Sequence, residues 1–216
     1  MPLKLLLKQD VFGTVSRENR DGRPIVVRDL DPARWWARPL ARFLAGREAK
    51  ALRRLDGLSG RVPQLLSWDG RRLERTWLDG RPMQQARPRH HDYYSEALKL
   101  VRRIHAAGVV HNDLAKEPNW LVDPDGRPLV VDFQLAWAPR RRTRLFRLFG
   151  REDLRHALKH RRYYAAESLS ARQREILANP GWISRSWRAT VKPVYLWITR
   201  RVLGWSDREG AGDRQH

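Results

Sequence analysis

Cysteine is absent from the 216 residues, which removes disulfides, thiolate metal sites and thiol nucleophiles together. No apolar run reaches the roughly 18 residues that a membrane-spanning helix needs. The opening MPLKLLLKQDVFG is not a secretion signal either, because Lys4 and Lys8 interrupt its apolar run and no small-residue cleavage site follows. The expected location is therefore cytoplasmic. Acids are scarce: 24 Asp and Glu face 44 Lys and Arg, a formal net charge of +20. Such a surplus points to an acidic partner, whether nucleic acid, anionic lipid or a phosphorylated substrate. Only seven of the bases are lysine, so a compositional preference for arginine is the alternative source.

What is present is enough apolar residue, 41%, to build a real core in one compact domain or two small lobes. Residues 1–30 read as strands, with a turn at Asp21-Gly22. Residues 32–56 read as helical, with Pro32 at the first helical position, apolar residues at Leu40, Phe43, Leu44, Leu52 and Leu55, and possible breaks at Pro39 and Gly46. A second hairpin follows, turning at Asp69-Gly70. Beyond residue 82 the pattern becomes helical. HDYYSEALKLVRRIHAAG places Tyr94, Ala97, Leu98, Val101, Ile104 and His105 on one side, with Asp92 as cap and Gly108 as terminator. Two short strands then flank Pro124-Asp125-Gly126, and residues 139–216 read as mostly helical and strongly basic. There is no internal repeat.

The chemistry concentrates in HNDLAKEPNWLVDPDGRPLVVDFQLA. Asp113 follows an apolar pair in a loop, Asn119 precedes a strand, and Asp132 ends the next one. A hairpin brings Asn119 and Asp132 to the same end, where a carboxylate and an amide oxygen make hard ligands suited to Mg²⁺. Asp113 is placed to accept a proton from an attacking hydroxyl, and Lys116 to neutralise a phosphate. Each residue alone is an ordinary turn residue; the set, at this spacing, is what points to a site.

This segment resembles the catalytic loop and metal-binding aspartate of the protein-kinase-like fold, H-R-D-L-K-x-x-N followed by D-F-G. HNDLAKEPN and DFQ supply His111, Asp113, Lys116, Asn119 and Asp132, with Ala115 as one inserted residue that leaves Lys116 and Asn119 in step. The resemblance implies ATP and Mg²⁺ as cofactors. It makes Asp113 the catalytic base, Lys116 a contact to the transferred phosphate, and Asn119 and Asp132 the metal ligands. Upstream, PIVVRDL resembles V-A-I-K with Arg28 in the lysine position, and Glu48 follows twenty residues later as its helix partner. Arginine is not a neutral exchange for lysine, since its planar fork is longer and pairs bidentately. The glycine-rich loop is reduced to Gly13, with Thr14 and Ser16 as hydroxyl donors. The interlobe stretch from Thr76 to Leu78 falls where an adenine ring meets backbone. The motif arginine is Asn112, and no A-P-E follows.

These departures are similar to the compact, atypical branch: RIO-like kinases, bacterial lipopolysaccharide core sugar kinases, and aminoglycoside or choline phosphotransferases. The similarity covers about residues 8–165, and DLRHALKHRRYY resembles the first two groups most. The expected fold is α+β: a β-rich nucleotide-binding lobe over 1–79 and a helical catalytic lobe over 80–216, without the usual activation segment. The implied activity is ATP-dependent transfer to a hydroxyl on a protein Ser/Thr or a lipopolysaccharide-type sugar, with an anionic acceptor favoured by the basic surface. The alternatives are a nucleotide-binding pseudokinase and a basic scaffold for membrane or nucleic acid.

The tract from Pro139 to Arg162 holds ten bases and two acids and interleaves Leu145, Phe146, Leu148 and Phe149 with arginines. It is expected to meet an anionic surface or substrate, which includes peripheral contact with the inner face of the cytoplasmic membrane. KPVYLWITRRVLGW reads as a last helix packed on the lobe. No nucleic-acid-binding motif accompanies the charge. Nothing in the sequence bears on oligomeric state.

Overall fold

The computed structural model describes residues 4–178. The last helix expected from the sequence, near 192–205, lies outside the described residues. The chain opens with three antiparallel strands, β1 (Leu5–Asp10), β2 (Gly13–Arg20) and β3 (Arg23–Asp29). Asp21 and Gly22 both have positive φ, 50° and 77°, the backbone a two-residue hairpin requires. Helix α1 (Arg38–Arg54) follows, then β4 (Leu65–Trp68) and β5 (Arg72–Thr76). The five strands form one sheet in the order β1-β2-β3-β5-β4.

Next come β6 (Arg81–Pro82), the short α2 (Met83–Ala86) and α3 (His91–Ala106). A hairpin of β7 (Trp120–Val122) and β8 (Pro128–Val130) pairs with β6. α4 (Arg144–Tyr164) and α5 (Ala171–Ala178) complete the described chain. The main buried cluster is built from α3, the hairpin and α4, and it extends across the 79/80 division to Ala51, Leu52, Leu55, Leu58 and Val62. A smaller cluster, with Leu30, Ala41, Ala45, Ala49 and Leu73, joins α1 to the sheet.

Three local expectations fail for identifiable reasons. α1 begins at Arg38, not after Asp31, because residues 31–37 close turns instead (Ala33 N to Leu30 O, 3.1 Å; Ala37 N to Arg34 O, 2.9 Å). Pro39 therefore occupies the first turn, where its missing N–H costs nothing, and neither it nor Gly46 breaks the helix. Asp92 lies in the first turn of α3 without capping it; His90 is the N-cap and makes no side-chain bond. The buried face of α1 consists of Ala41, Ala45, Glu48, Ala49, Ala51 and Leu52, whereas Leu40 and Phe43 face outward.

The basic tract both packs and projects: Arg140, Arg141, Arg142, Arg144, Arg147, Arg151 and Arg162 are exposed. In α4, Phe146, Arg155 and Arg161 are buried, and Phe146 and Phe149 lie against the Trp137 ring. Of the four interleaved apolar residues only Leu145 is exposed. Among the described residues no helix is long and apolar enough to cross a membrane.

Candidate active site

Hairpin register brings the first pair of residues together. Trp120 pairs with Val130, and Val131 N donates to Asn119 O at 3.0 Å, so Asn119 and Asp132 flank the open end of the β7–β8 hairpin. Asn119 Nδ2 donates to both Asp113 O (2.9 Å) and Asp113 Oδ2 (3.0 Å). That leaves its Oδ1 as an acceptor. Lys116 Nζ lies 2.9 Å from Asp113 Oδ2. The inserted residue is absorbed in a turn over Leu114 and Ala115, with Lys116 N reaching Asp113 O at 3.4 Å. The Leu114 carbonyl is pinned by Trp120 Nε1 (3.0 Å) and by His160 Nε2 (2.8 Å).

Asp132 adopts a left-handed backbone, φ 62°, which Asp tolerates better than most residues. Its Oδ1 is buried and has no hydrogen-bond partner. Burial pushes its pKa up, but Arg28 and Arg75 first, then Lys116, pull harder and leave it below the ordinary aspartate value. The group is thus an ionised carboxylate with an unsatisfied buried oxygen. Among the described residues no trio of His, Cys, Asp or Glu could hold a metal. A cation here would rest on Asp132 Oδ1 and Asn119 Oδ1, completed by oxygens of a ligand, a donor set that fits Mg²⁺.

Above the hairpin, Glu48 is fully buried in α1, with Arg28 Nε 3.5 Å from Oε2 and Arg75 Nε 3.1 Å from Oε1. Neither contact has hydrogen-bond alignment, so these are ion pairs held by charge. The arrangement follows from the sheet. Arg75 pairs with Val26, two residues before Arg28, so both arginines leave β3 and β5 on the same face. Sequence reading missed Arg75, since no motif spacing marks it.

One further residue was missed. Asp153, almost completely buried in α4, accepts from His111 N (2.7 Å), Asn112 N (2.9 Å) and His105 Nε2 (3.0 Å). It clamps the loop that carries Asp113 onto the helical body. A signal was available: it is one of only two acids in the basic tract, and the other, Glu152, pairs with Arg155 at 3.3 Å. Asn112 takes a left-handed φ of 65° and donates from Nδ2 to Leu135 O at 3.0 Å. An asparagine suits that backbone, which accounts for its standing where the motif has arginine. His111 donates from Nε2 to Val131 O (3.0 Å) and accepts Asp113 N at Nδ1 (3.3 Å), partners that assign the neutral Nε2–H tautomer.

The remaining predicted residues divide. Gly13 sits at the β1–β2 turn with φ 118°, and a Cβ there would lie 2.1 Å from Asp29 O, so backbone packing alone demands glycine. Ser16 is buried and its hydroxyl donates to Glu18 (2.9 Å), which removes it as a ligand contact. Thr76 N donates to Gln64 O (2.9 Å), Thr76 Oγ1 accepts Gln64 N (2.9 Å), and Trp77 N donates to Pro24 O (3.2 Å). The backbone amides of Thr76 and Trp77 are thus both engaged within the protein.

A family model of the RIO domain matches residues 15–169. A search of curated proteins finds no match. Among solved structures, the Rio2 kinase from Chaetomium thermophilum is similar with a TM-score of 0.58 at 14% identity, over 80% of this chain and 60% of that one. The chain thus spans about 60% of that relative's length, and at this identity the likeness speaks to fold: a β-sheet lobe followed by a helical lobe. The family model, by contrast, covers well over half of the chain, and with it the loop, hairpin and ion pairs described above: the chain belongs to the RIO domain family, an atypical branch of the protein-kinase-like fold.

Proposed function

We propose that this protein is an atypical kinase that transfers the γ-phosphoryl group of ATP to a hydroxyl acceptor with the help of Mg²⁺. One observation carries the reading: Asp113 and Asn119 are locked together at 3.0 Å beside Asp132, whose buried Oδ1 lacks a partner. Mg²⁺ supplies charge neutralisation between the phosphates, and Asn119 and Asp132 are the residues to hold it. Asp113 takes the proton of the acceptor hydroxyl as its oxygen bonds to phosphorus and the bond to the leaving ADP oxygen breaks. Lys116, beside Asp113, offers positive charge to the phosphoryl oxygens. Arg28, held by Glu48, serves the nucleotide phosphates in place of lysine. Little covalent work falls to the protein; positioning and charge do most of it.

The acceptor is a hydroxyl on a protein serine or threonine, or on a lipopolysaccharide-type sugar, and the basic surface favours one that is already anionic. A screen with labelled ATP against extract separated into protein, lipid and small-molecule fractions identifies it. Asp113→Ala is expected to abolish turnover while nucleotide binding persists; transfer at the parent rate overturns the assignment. A second reading, a nucleotide-binding pseudokinase, is favoured by the crowding of Arg28 and Arg75 on Glu48. Mg²⁺-dependent ATP turnover decides between the two.

A further inference from the structure

Helix α1 is apolar on both sides. Its inner face is buried against the sheet, yet Leu40 and Phe43 lie on the opposite side, with Phe43 59% exposed. Immediately before the helix, Trp35 is 81% exposed and Trp36 43%. Large aromatic side chains left this open, two of them adjacent in sequence and a third in the helix that follows, are not the scattered apolar exposure of an ordinary surface. Charge around them is one-sided. Between Asp31 and Glu48 there is no acid, and Arg34, Arg38, Arg42 and Arg47 recur through the stretch.

The same corner continues into the sheet edge. Arg34 N donates to Val11 O at 3.0 Å, which ties this segment to the turn ending β1. β1 is an edge strand with Leu5, Leu6 and Leu7 exposed between Lys4 and Lys8. At its other end, the outward stripe reaches Arg47, whose guanidinium lies 5.6 Å from the Phe43 ring and donates to Leu135 O (2.9 Å) and Ala136 O (3.0 Å). The stripe therefore ends on the segment just after Asp132.

We propose that Trp35, Trp36, Leu40 and Phe43, with Arg34 and Arg42 beside them, form a docking surface for an anionic lipid bilayer. Tryptophan and arginine together match the interfacial layer, where rings sit at headgroup depth and guanidinium groups meet phosphate. The outward face of a helix suits a plane of lipid, and the net charge of +20 supplies long-range attraction to a negative one. Docking would set the catalytic loop beside the membrane through Arg47. The surface itself does not depend on phosphotransfer.

The test uses the full chain without nucleotide, spun with vesicles of phosphatidylglycerol and phosphatidylethanolamine or of phosphatidylcholine alone. Pelleting is expected with the first, weakened by salt, and not with the second. Trp35→Ser/Trp36→Ser/Phe43→Ser is expected to lower vesicle affinity roughly tenfold, and Arg34→Glu/Arg42→Glu to lower it for anionic vesicles. Unchanged pelleting of the triple variant assigns any membrane binding to another part of the chain and overturns the surface; so does equal pelleting on both lipids. Absence of vesicle binding together with capture of an acidic protein that the triple variant releases overturns the bilayer in favour of a protein. A second readout needs no disruptive variant: the emission lost in Trp35→Phe should be quenched by acyl-brominated lipids, and unquenched emission counts against the proposal. The Asp113→Ala chain must bind vesicles as the parent does, which separates this result from the fate of the kinase assignment.

Discussion

A methyl group on Gly13 would sit 2.1 Å from the carbonyl oxygen of Asp29, on a backbone with φ 118°. Gly13→Ala must move β2 away from the end of β3, and a loss of about 2 kcal/mol or more in urea unfolding is expected. Thr14→Ala, its neighbour, serves as the comparison. Glu48 offers a different kind of test. It is buried between two arginines, so Glu48→Gln leaves two like charges facing each other with one neutral amide. Breaking a buried pair from one side costs about 3–5 kcal/mol, and a drop of that size in unfolding free energy is the expected result. Replacing Glu48, Arg28 and Arg75 together by apolar residues of similar volume should recover much of it, since a buried ion cluster can be exchanged for packed apolar groups at little cost.

At the scale of elements, α4 holds the catalytic loop through Asp153 and, at the Leu114 carbonyl, through His160. Asp153→Asn keeps the shape but loses charge and one of the acceptors used by His111 N, Asn112 N and His105. Turnover is expected to fall at least tenfold with nucleotide binding nearly unchanged, read as kcat against KM for ATP. The same helix carries a pH response. Burial, with Lys159 adding, holds His156 neutral down to about 4 from a usual 6.5, and its Nδ1 is buried without a hydrogen-bond partner. Between pH 6.5 and 4 the unfolded chain takes up a proton that the native state refuses, so stability is full above that window and falls as the pH drops through it. A loss of about 2–3 kcal/mol by pH 4 is expected, and His156→Gln should flatten that part of the curve.

How much of this was legible before folding depends on what each feature rests on. Turn chemistry is local, so Asp21-Gly22, Asp69-Gly70 and the β7–β8 hairpin could be read from a few residues. Motif spacing is also local, which is why Asp113, Lys116, Asn119 and Asp132 could be proposed as a set. Glu48 could be found because helix and strand order fixed its distance along the chain from Arg28. Arg75 and Asp153 reach the site only through sheet register and helix packing, and no short-range pattern encodes either. The start of α1 was misplaced because a proline fits the first turn of a helix wherever that turn happens to fall. Leu40 and Phe43 belong to the helical pattern without their direction being legible: periodicity says that residues share a face, but not whether that face turns inward.

For the whole molecule, the two parts of the chain are stitched more tightly than a sheet lobe and a helical lobe joined by one strand. The core runs from the end of α1 into α3 and α4. Arg54 Nη1 donates to Gly108 O (3.1 Å) and Pro139 O (2.7 Å), and Arg47 donates to Leu135 O and Ala136 O. Arg61 accepts Val130 N at its carbonyl (3.0 Å) and donates from Nη1 to Pro128 O (3.1 Å). Each belongs to a segment on one side of the cleft and ends on the other. Removing Arg54 with alanine strips two carbonyls of their partners and should lower the unfolding midpoint by the equivalent of about 2 kcal/mol.

The clamps made by Arg47 and Arg54 also bear on how such a protein could be turned on and off. Swinging α1 outward, the simplest way to part Glu48 from Arg28, requires four arginine-to-carbonyl bonds to break at once. In native-state deuterium exchange, amides in the middle of α1 and in 136–138 should therefore open as one cooperative unit, close to the free energy of global unfolding. Control of this molecule would then lie in where it is placed and what it meets there, since its two halves leave little room for a change of shape.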